Sequence, residues 1–503
     1  MRVRLMYPDR DFNVRQNSPW NEHAVMQDLQ LELLLRVMCG SDEFLHSVAQ
    51  KALLLAMLND QETILYRQGI LRDCLKNQAV VTELYNLAVE AIARSRKDWW
   101  GLSSQSPSSL LYSSNELIGS FVGVLRKLWE IGEIHEAEFD SEGFKQLFAM
   151  FTTELNDEYL SEVQCHVGEL RFDRGVLISA ELGETNESTR YVLRKPPNNQ
   201  QSWFERTFRR GPRAFTYQLD PRDEAGGRIL SEMRHRGIAR VAIALGESSD
   251  HVVNFFAALR TELAFYIGCL NLHNWVKGKR LHLAFPEALS AGTRKHNFSE
   301  LYDLCLAIGS EQPLVGNTIN ADGKRFVVIT GANQGGKSTF LRSIGLAQMM
   351  MQCGMFVPAQ RFSAAICPAL ITHFKREEDA TMQSGKLDEE LSRLSEIADH
   401  VRPDSLLLFN ESFAATNDRE GSEIARQITS ALHENGSRIF YVTHLREFAR
   451  GLYTSGTHDS LFLRAERNED GTRTFRLIEG EPLDTSFGVD LYRTVFAARS
   501  DSL

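Results

Sequence analysis

The spacing of apolar residues changes twice along the chain, and each change marks a different kind of structure. From about Asn21 to Phe151 apolar side chains recur three and four residues apart, as in Val25, Met26, Leu29, Leu33, Leu34 and Val37, and again in Leu53, Leu54, Met57 and Leu58. That spacing predicts helices that each bury one face. Breaks at Gly40-Ser41-Asp42, Asn59-Asp60 and 101–109 separate them. Near Gly168 the period shortens: Leu170 to Phe172, Val176 to Leu182 and Tyr191 to Leu193 read as strands and hairpins set into a helical region. Residues 228–237 then read as helix, 239–244 as strand and 251–276 as one long helix, and the polar stretch 278–297 as a hinge. From Phe326 onward short, wholly apolar runs alternate with helical segments, as in an α/β domain.

Composition narrows this picture only a little. A chain of 503 residues, 43% hydrophobic and 24% charged, accommodates about two to four domains of ordinary composition. It contains no uninterrupted apolar run of about 18 residues, and its first twenty residues lack the apolar core of a signal peptide. A cytoplasmic protein without a membrane span is the expectation. Seven cysteines lie far apart with no C-x-x-C pair, which favours reduced core thiols over disulfides or a zinc site. Trp99 and Trp100 read as packing residues.

A net charge of −10 argues against an overall basic coat. A local basic patch is still enough to engage a phosphate backbone. Arg194, Lys195, Arg206, Arg209, Arg210 and Arg213, interleaved with Trp203, Phe204 and Phe208, suit that role. They suit a solvated loop or an acidic partner equally well.

The sharpest chemical signal is the stretch from Phe326 to Leu341. A β-branched run ends at Gly331, and Gly331, Ala332, Asn333, Gln334, Gly335, Gly336, Lys337, Ser338 and Thr339 lead into a helix. Strand, glycine-rich loop and helix in that order make a phosphate-binding loop. Backbone N–H groups surround phosphate oxygens, Lys337 reaches the outer phosphates, and Ser338 offers a hydroxyl to Mg2+. Two further strands run into polar ends, one at Asn410-Glu411 and one at Thr443-His444. In such sites the first acidic position serves the metal shell and the second orients water. Here the first is Asn410, which keeps an oxygen but removes a full negative charge from the divalent-ion site. Glu411 is the candidate base, and His444 the candidate contact to the terminal phosphate.

Together these segments resemble the MutS family of DNA mismatch-repair ATPases. G-A-N-Q-G-G-K-S-T is similar to the family's G-P-N-M-G-G-K-S-T, and Val357-Pro358-Ala359 falls where the family has V-P-A. The Asn410-Glu411 strand resembles the family's D-E strand, with Thr416 and Gly421 after it. Thr443-His444 resembles its T-H pair, and Ser486-Phe487-Gly488 its late S-Y-G. Glu262 to Gly268 is similar to the helix that enters the family's ATPase domain. Three departures stand out. Phe413-Ala414-Ala415 replaces the family's G-R-G, Gly385 with Ser384 beside it stands where a serine reaches the opposite subunit's nucleotide, and the N-terminal mismatch-reading domain has no counterpart. Glu390 matches the glutamate of the segment that carries that serine.

The resemblance implies a C-terminal P-loop, ABC-like α/β ATPase domain (298–503) preceded by a mainly α-helical lever and core (1–166). It further implies a small β-containing clamp-like insertion (167–248) and a long helix and hinge returning to the core (249–297). It implies ATP and Mg2+ as cofactors, duplex or branched DNA as partner, and a homodimer formed through the ATPase domains. A nucleotide-gated scaffold with little hydrolysis is the alternative that Asn410 motivates. An SMC-type ATPase is excluded, because about 70 residues between Lys337 and Asn410 leave no space for a long heptad coil.

Overall fold

The computed structural model describes residues 1–98, 106–173, 175–185, 187–195, 215–311, 314–376, 385–456, 458–468 and 472–482. Trp99, Trp100, Arg206, Arg209, Arg210, Arg213, Ser384 and Ser486-Phe487-Gly488 lie outside the described residues. Two units interleave along the chain. The first comprises residues 1–3, 82–139 and 144–260, and the second residues 4–81, 140–143 and 261–503.

The first unit is mostly helical. The helix Pro107–His135 begins with proline in its first turn and with Ser106 accepting the Ser109 N–H, which satisfies a donor that the helix itself leaves unpaired. The helix Asp157–Glu169 is capped in the same way by Asn156. Phe121, Phe144, Phe148 and Phe256 are fully buried in this unit, with the Phe144 and Phe148 ring centroids 5.9 Å apart. Strands β1 (Leu177–Leu182) and β2 (Ser188–Arg194) form an antiparallel hairpin, as the alternating pattern predicts.

Two local expectations fail. Leu170 to Phe172 is not a strand: Leu170 closes the preceding helix and Phe172 takes a left-handed φ of 53°. Residues 239–244 are not a strand either, because a single helix runs from Glu224 to Gly278. Ile238 and Ala242, four residues apart, are buried against Leu111, whereas Ile243 is exposed. The short alternation around Val241 therefore loses to the helical period. By length and composition this helix holds a stretch apolar enough to cross a bilayer, although no uninterrupted apolar run exists. A little over half of that stretch is buried inside the protein, as in a core helix.

In the second unit the predicted helix breaks are caps. Asp42 accepts from the N–H groups of Phe44 and Leu45, and Asp60 accepts from that of Thr63. Its strands are β3 (Glu287–Leu289), β4 (His296–Leu301), β5 (Asn317–Asn320), β6 (Phe326–Thr330), β7 (Arg361–Ala365), β8 (Leu370–Phe374), β9 (Leu406–Asn410), β10 (Arg438–Val442), β11 (Ser460–Arg467) and β12 (Arg473–Glu479). The stretch read as a hinge thus carries β3 and the start of β4. One sheet has the order β3-β7-β4-β5 and the larger one β12-β11-β6-β10-β9-β8.

In the larger sheet β8, β9, β10, β6 and β11 are parallel, and β12 is antiparallel to β11. β6, β8 and β10 are buried at every residue, as strands covered on both faces must be. β6 lies between β10 and β11: after β6 the chain builds β8, β9 and β10 on one side, and from β10 it crosses to β11 on the other. The carboxyl ends beside such a switch point open into a crevice. All seven cysteines are unpaired, and every one but Cys165 is buried.

Candidate functional site

The ends of β6, β9 and β10 bring the three predicted motifs to one place. After β6 the backbone turns through Gly331 at φ 117°, Gln334 at 59° and Gly336 at 86° before entering the helix Lys337–Gln352. A Cβ on Gly331 would lie 2.8 Å from the Ala465 nitrogen of β11, so the turn needs glycine both for its dihedral and for this close approach. Lys337 is buried, and its Nζ donates to the carbonyl oxygens of Gly331 (3.0 Å) and Ala332 (2.9 Å). Burial lowers its pKa to about 8, opposed by nearby Glu411 and reinforced by nearby Arg473. The ammonium therefore rests on loop carbonyls inside the turn.

The Ser338 hydroxyl donates to Asn410 Oδ1 at 2.8 Å, joining the start of the helix to the end of β9. One residue on, Glu411 Oε1 accepts from His444 Nε2 at 3.0 Å. That hydrogen bond holds the Glu411 carboxyl below its ordinary pKa against the opposing effect of burial, with the charge of Lys337 helping. An ionised carboxylate, a lysine and a histidine thus converge at the strand ends with Asn333 and Gln334 exposed at the loop. Beside the loop is a cavity of about 230 Å³ lined by residues that include Tyr302, Asn317, Thr339, Phe340 and Phe475.

Ser338 and Asn410 present oxygen donors side by side, the ligand chemistry that Mg2+ takes. Among the described residues, no group of three or more His, Cys, Asp or Glu side chains is placed to hold a metal ion by itself. Of the basic patch, Arg194 donates to Ser179 Oγ at 2.9 Å and Lys195 pairs with Glu169 at 2.6 Å. Both are exposed at the end of the β1–β2 hairpin.

Sequence reasoning missed what β11 and β12 add. Ala465 packs against the loop, and Arg473 Nη1 donates to Gln334 Oε1 at 2.8 Å. The alternation of Leu461, Leu463 and Ala465 is the signal that could have identified β11, whereas nothing local marks Arg473.

The profile of the MutS2 N-terminal domain matches residues 59–278, and that of MutS domain V matches residues 327–499. MutS protein homolog 4 of Homo sapiens is 28% identical over 189 residues, covering 36% of this chain and 20% of that protein. The DNA mismatch repair protein MutS of Thermotoga maritima is 30% identical over 182 residues, covering 36% and 23%. That of Chloroflexus aurantiacus is 30% identical over 141 residues, covering 27% and 15%. The chain thus spans less than a quarter of the length of these relatives. Two family profiles, one over the helical stretch and one over the nucleotide loops, together with these relatives, place the chain in the MutS family.

Proposed function

We propose that this protein is a DNA-associated ATPase that binds ATP with Mg2+ at the ends of β6, β9 and β10 and couples that binding to its hold on DNA. The observation that carries this reading is the convergence of Lys337, Ser338, Asn410, Glu411 and His444 at one switch point. Phosphate oxygens replace the carbonyls of Gly331 and Ala332 as partners of Lys337, and the loop N–H groups take the remaining oxygens. The cavity beside Phe475 receives the nucleoside. Ser338 and Asn410 would hold Mg2+, which would neutralise charge on the outer phosphates. Glu411, ionised at neutral pH, orients the attacking water and takes up its proton, and His444 leaves it to contact the terminal phosphate.

The remaining parts of the reading concern the rest of the chain. Residues 1–166 act as lever and core, 167–248 as a clamp-like insertion, 249–297 as the return to the core, and 298–503 as the ATPase domain. Two such domains pair into a homodimer, with Ser384 reaching the opposite nucleotide. Arg194, Lys195, Arg206, Arg209, Arg210 and Arg213 lie along duplex or branched DNA, and the protein acts in the cytoplasm.

Steady-state ATP hydrolysis measured with and without a panel of duplex, branched and mismatched DNAs tests the reading. Turnover above that of Lys337→Ala, and DNA binding that weakens steeply with salt, are expected. Turnover equal to the variant's would sink the enzyme reading.

Asn410 favours a second reading, a nucleotide-gated scaffold that closes on ATP and hydrolyses it little. Its amide brings an oxygen to Ser338 without the charge that a divalent ion gains from a carboxylate. Tight ATP binding with negligible turnover would select this reading, and Asn410→Asp should then raise Mg2+ affinity.

A further inference from the structure

The turn after β9 is strained at two of three consecutive residues. Glu411 (φ 54°) and Phe413 (φ 65°) both sit in the left-handed region and flank Ser412. Side chains with a Cβ rarely adopt that region and persist there only when their surroundings over-determine them. At Phe413 the chain has a bulky ring where a glycine would be unstrained. What holds it is a buried network drawn from several other elements.

The Phe413 N–H donates to Glu390 Oε2 at 2.8 Å, and Glu390 is 3% exposed on the helix Lys386–His400. The backbone carbonyl of the same Glu390 lies 3.3 Å from His373 Nε2. The Ser412 hydroxyl donates to the His373 carbonyl at 2.9 Å and lies 2.6 Å from His373 Nδ1. Tyr441 on β10 donates its hydroxyl to the Ser412 carbonyl at 3.0 Å. The Phe413 ring is fully buried and stacks on His373 with centroids 6.0 Å apart. A Cβ on Gly421 would lie 2.6 Å from the Phe413 carbonyl, so the helix Asp418–Glu434 begins flush against the turn.

The backbone of Glu411 is therefore set from β8, from β10 and from two helices. We propose that Glu390, acting with His373 and Ser412, is a positioning residue that holds Glu411 in its strained conformation facing the nucleotide loops. This inference rests on the reading of Glu411 as the residue that orients water.

The test uses the full chain and three readouts: hydrogen exchange of residues 411–416 and 331–339, affinity for a fluorescent ATP analogue, and single-turnover hydrolysis. In Glu390→Ala, exchange at 411–416 should rise about tenfold or more while exchange at 331–339 is unchanged from the wild type, as expected for a buried N–H that has lost its acceptor. Nucleotide affinity should stay within about twofold and turnover fall about tenfold. Glu390→Gln keeps an acceptor oxygen for Phe413 and should restore most of the turnover.

If Glu390→Ala does not fold, Phe413→Gly and Phe413→Ala decide. Both delete the ring but only glycine adopts the left-handed φ freely, so Phe413→Gly should retain about threefold more turnover or better. Unchanged exchange at 411–416 would overturn the proposal. So would parallel losses of affinity, turnover and melting temperature that glutamine does not rescue, or alanine outperforming glycine at 413. Absence of turnover in the wild type would instead sink the ATPase reading, and the exchange comparison would still decide whether Glu390 positions the turn.

Discussion

β6 and the β1–β2 hairpin are both short β-structure in one chain, and they differ in almost every physical respect. Every residue of β6 is buried, its neighbours on both sides are parallel strands, and it ends in a loop whose side chains are tied down at 2.8 to 3.0 Å. β1 is mostly exposed, with Leu182 at 76%, and its hairpin partner ends in an arginine and a lysine held by Ser179 and Glu169. A site at the end of a fully buried strand has its backbone frame fixed by the sheet. A surface hairpin keeps its shape through few contacts and is open to being moulded by a partner.

The contrast is open to attack, beginning with stability. Leu407→Ala in β9 removes a fully buried side chain and should cost about 2–5 kcal/mol in urea unfolding, whereas Leu182→Ala should stay within about 0.5 kcal/mol. Similar costs would erase the distinction. Next in size, Lys337→Ala should weaken binding of a fluorescent ATP analogue by about 100-fold, while Arg194→Ala leaves it unchanged. An effect of Arg194 on nucleotide affinity would mean that the two regions are not separate in function.

The nucleotide-bearing unit also buries an ionisable carboxyl, and this gives it a pH dependence. Glu262 is fully buried and accepts from the N–H groups of Leu5, Met6 and Phe12, yet burial raises its pKa to about 7. The folded state therefore holds a proton that the unfolded chain releases near the ordinary value of 4.5. Its stabilising contribution is complete below 4.5 and is lost as pH rises through about 7, by about 1–3 kcal/mol. Unfolding followed between pH 5 and 8 should show this decline, and Glu262→Gln should flatten it. The smallest expected effect lies in the hairpin. Arg194→Ala and Lys195→Ala should each lower the salt slope of DNA binding by about one and weaken binding a few-fold, uniformly across sequences.

The same contrast explains which parts were legible in the sequence. Fully buried parallel strands read as continuous apolar runs, and each residue type from Gly331 to Ser338 has its own task, so the loop is readable from its spacing, while Asn410, Glu411 and His444 are marked by strands that end in polar residues and by the family resemblance. Helix breaks at Asp42 and Asp60 were readable because a cap is a local hydrogen bond. The single helix Glu224–Gly278 reads as three pieces in the sequence, since tertiary packing of Ile238 and Ala242 decides the period there. The joining of residues 4–81 to the nucleotide-bearing unit depends on contacts hundreds of residues apart, such as Glu262 to Leu5. Arg473 and the His373–Ser412–Glu390 network were invisible for the same reason.

Asn410 leaves hydrolysis as the point on which everything else turns. The most direct measurement is single-turnover hydrolysis of ATP with Mg2+ by the wild type, by Glu411→Gln and by Lys337→Ala, with nucleotide affinity measured on the same samples. The expected result is measurable hydrolysis in the wild type, a loss of about 100-fold or more in Glu411→Gln with affinity retained, and loss of both in Lys337→Ala. Hydrolysis by Glu411→Gln at the wild-type rate would contradict the assignment of Glu411 as the residue that activates water.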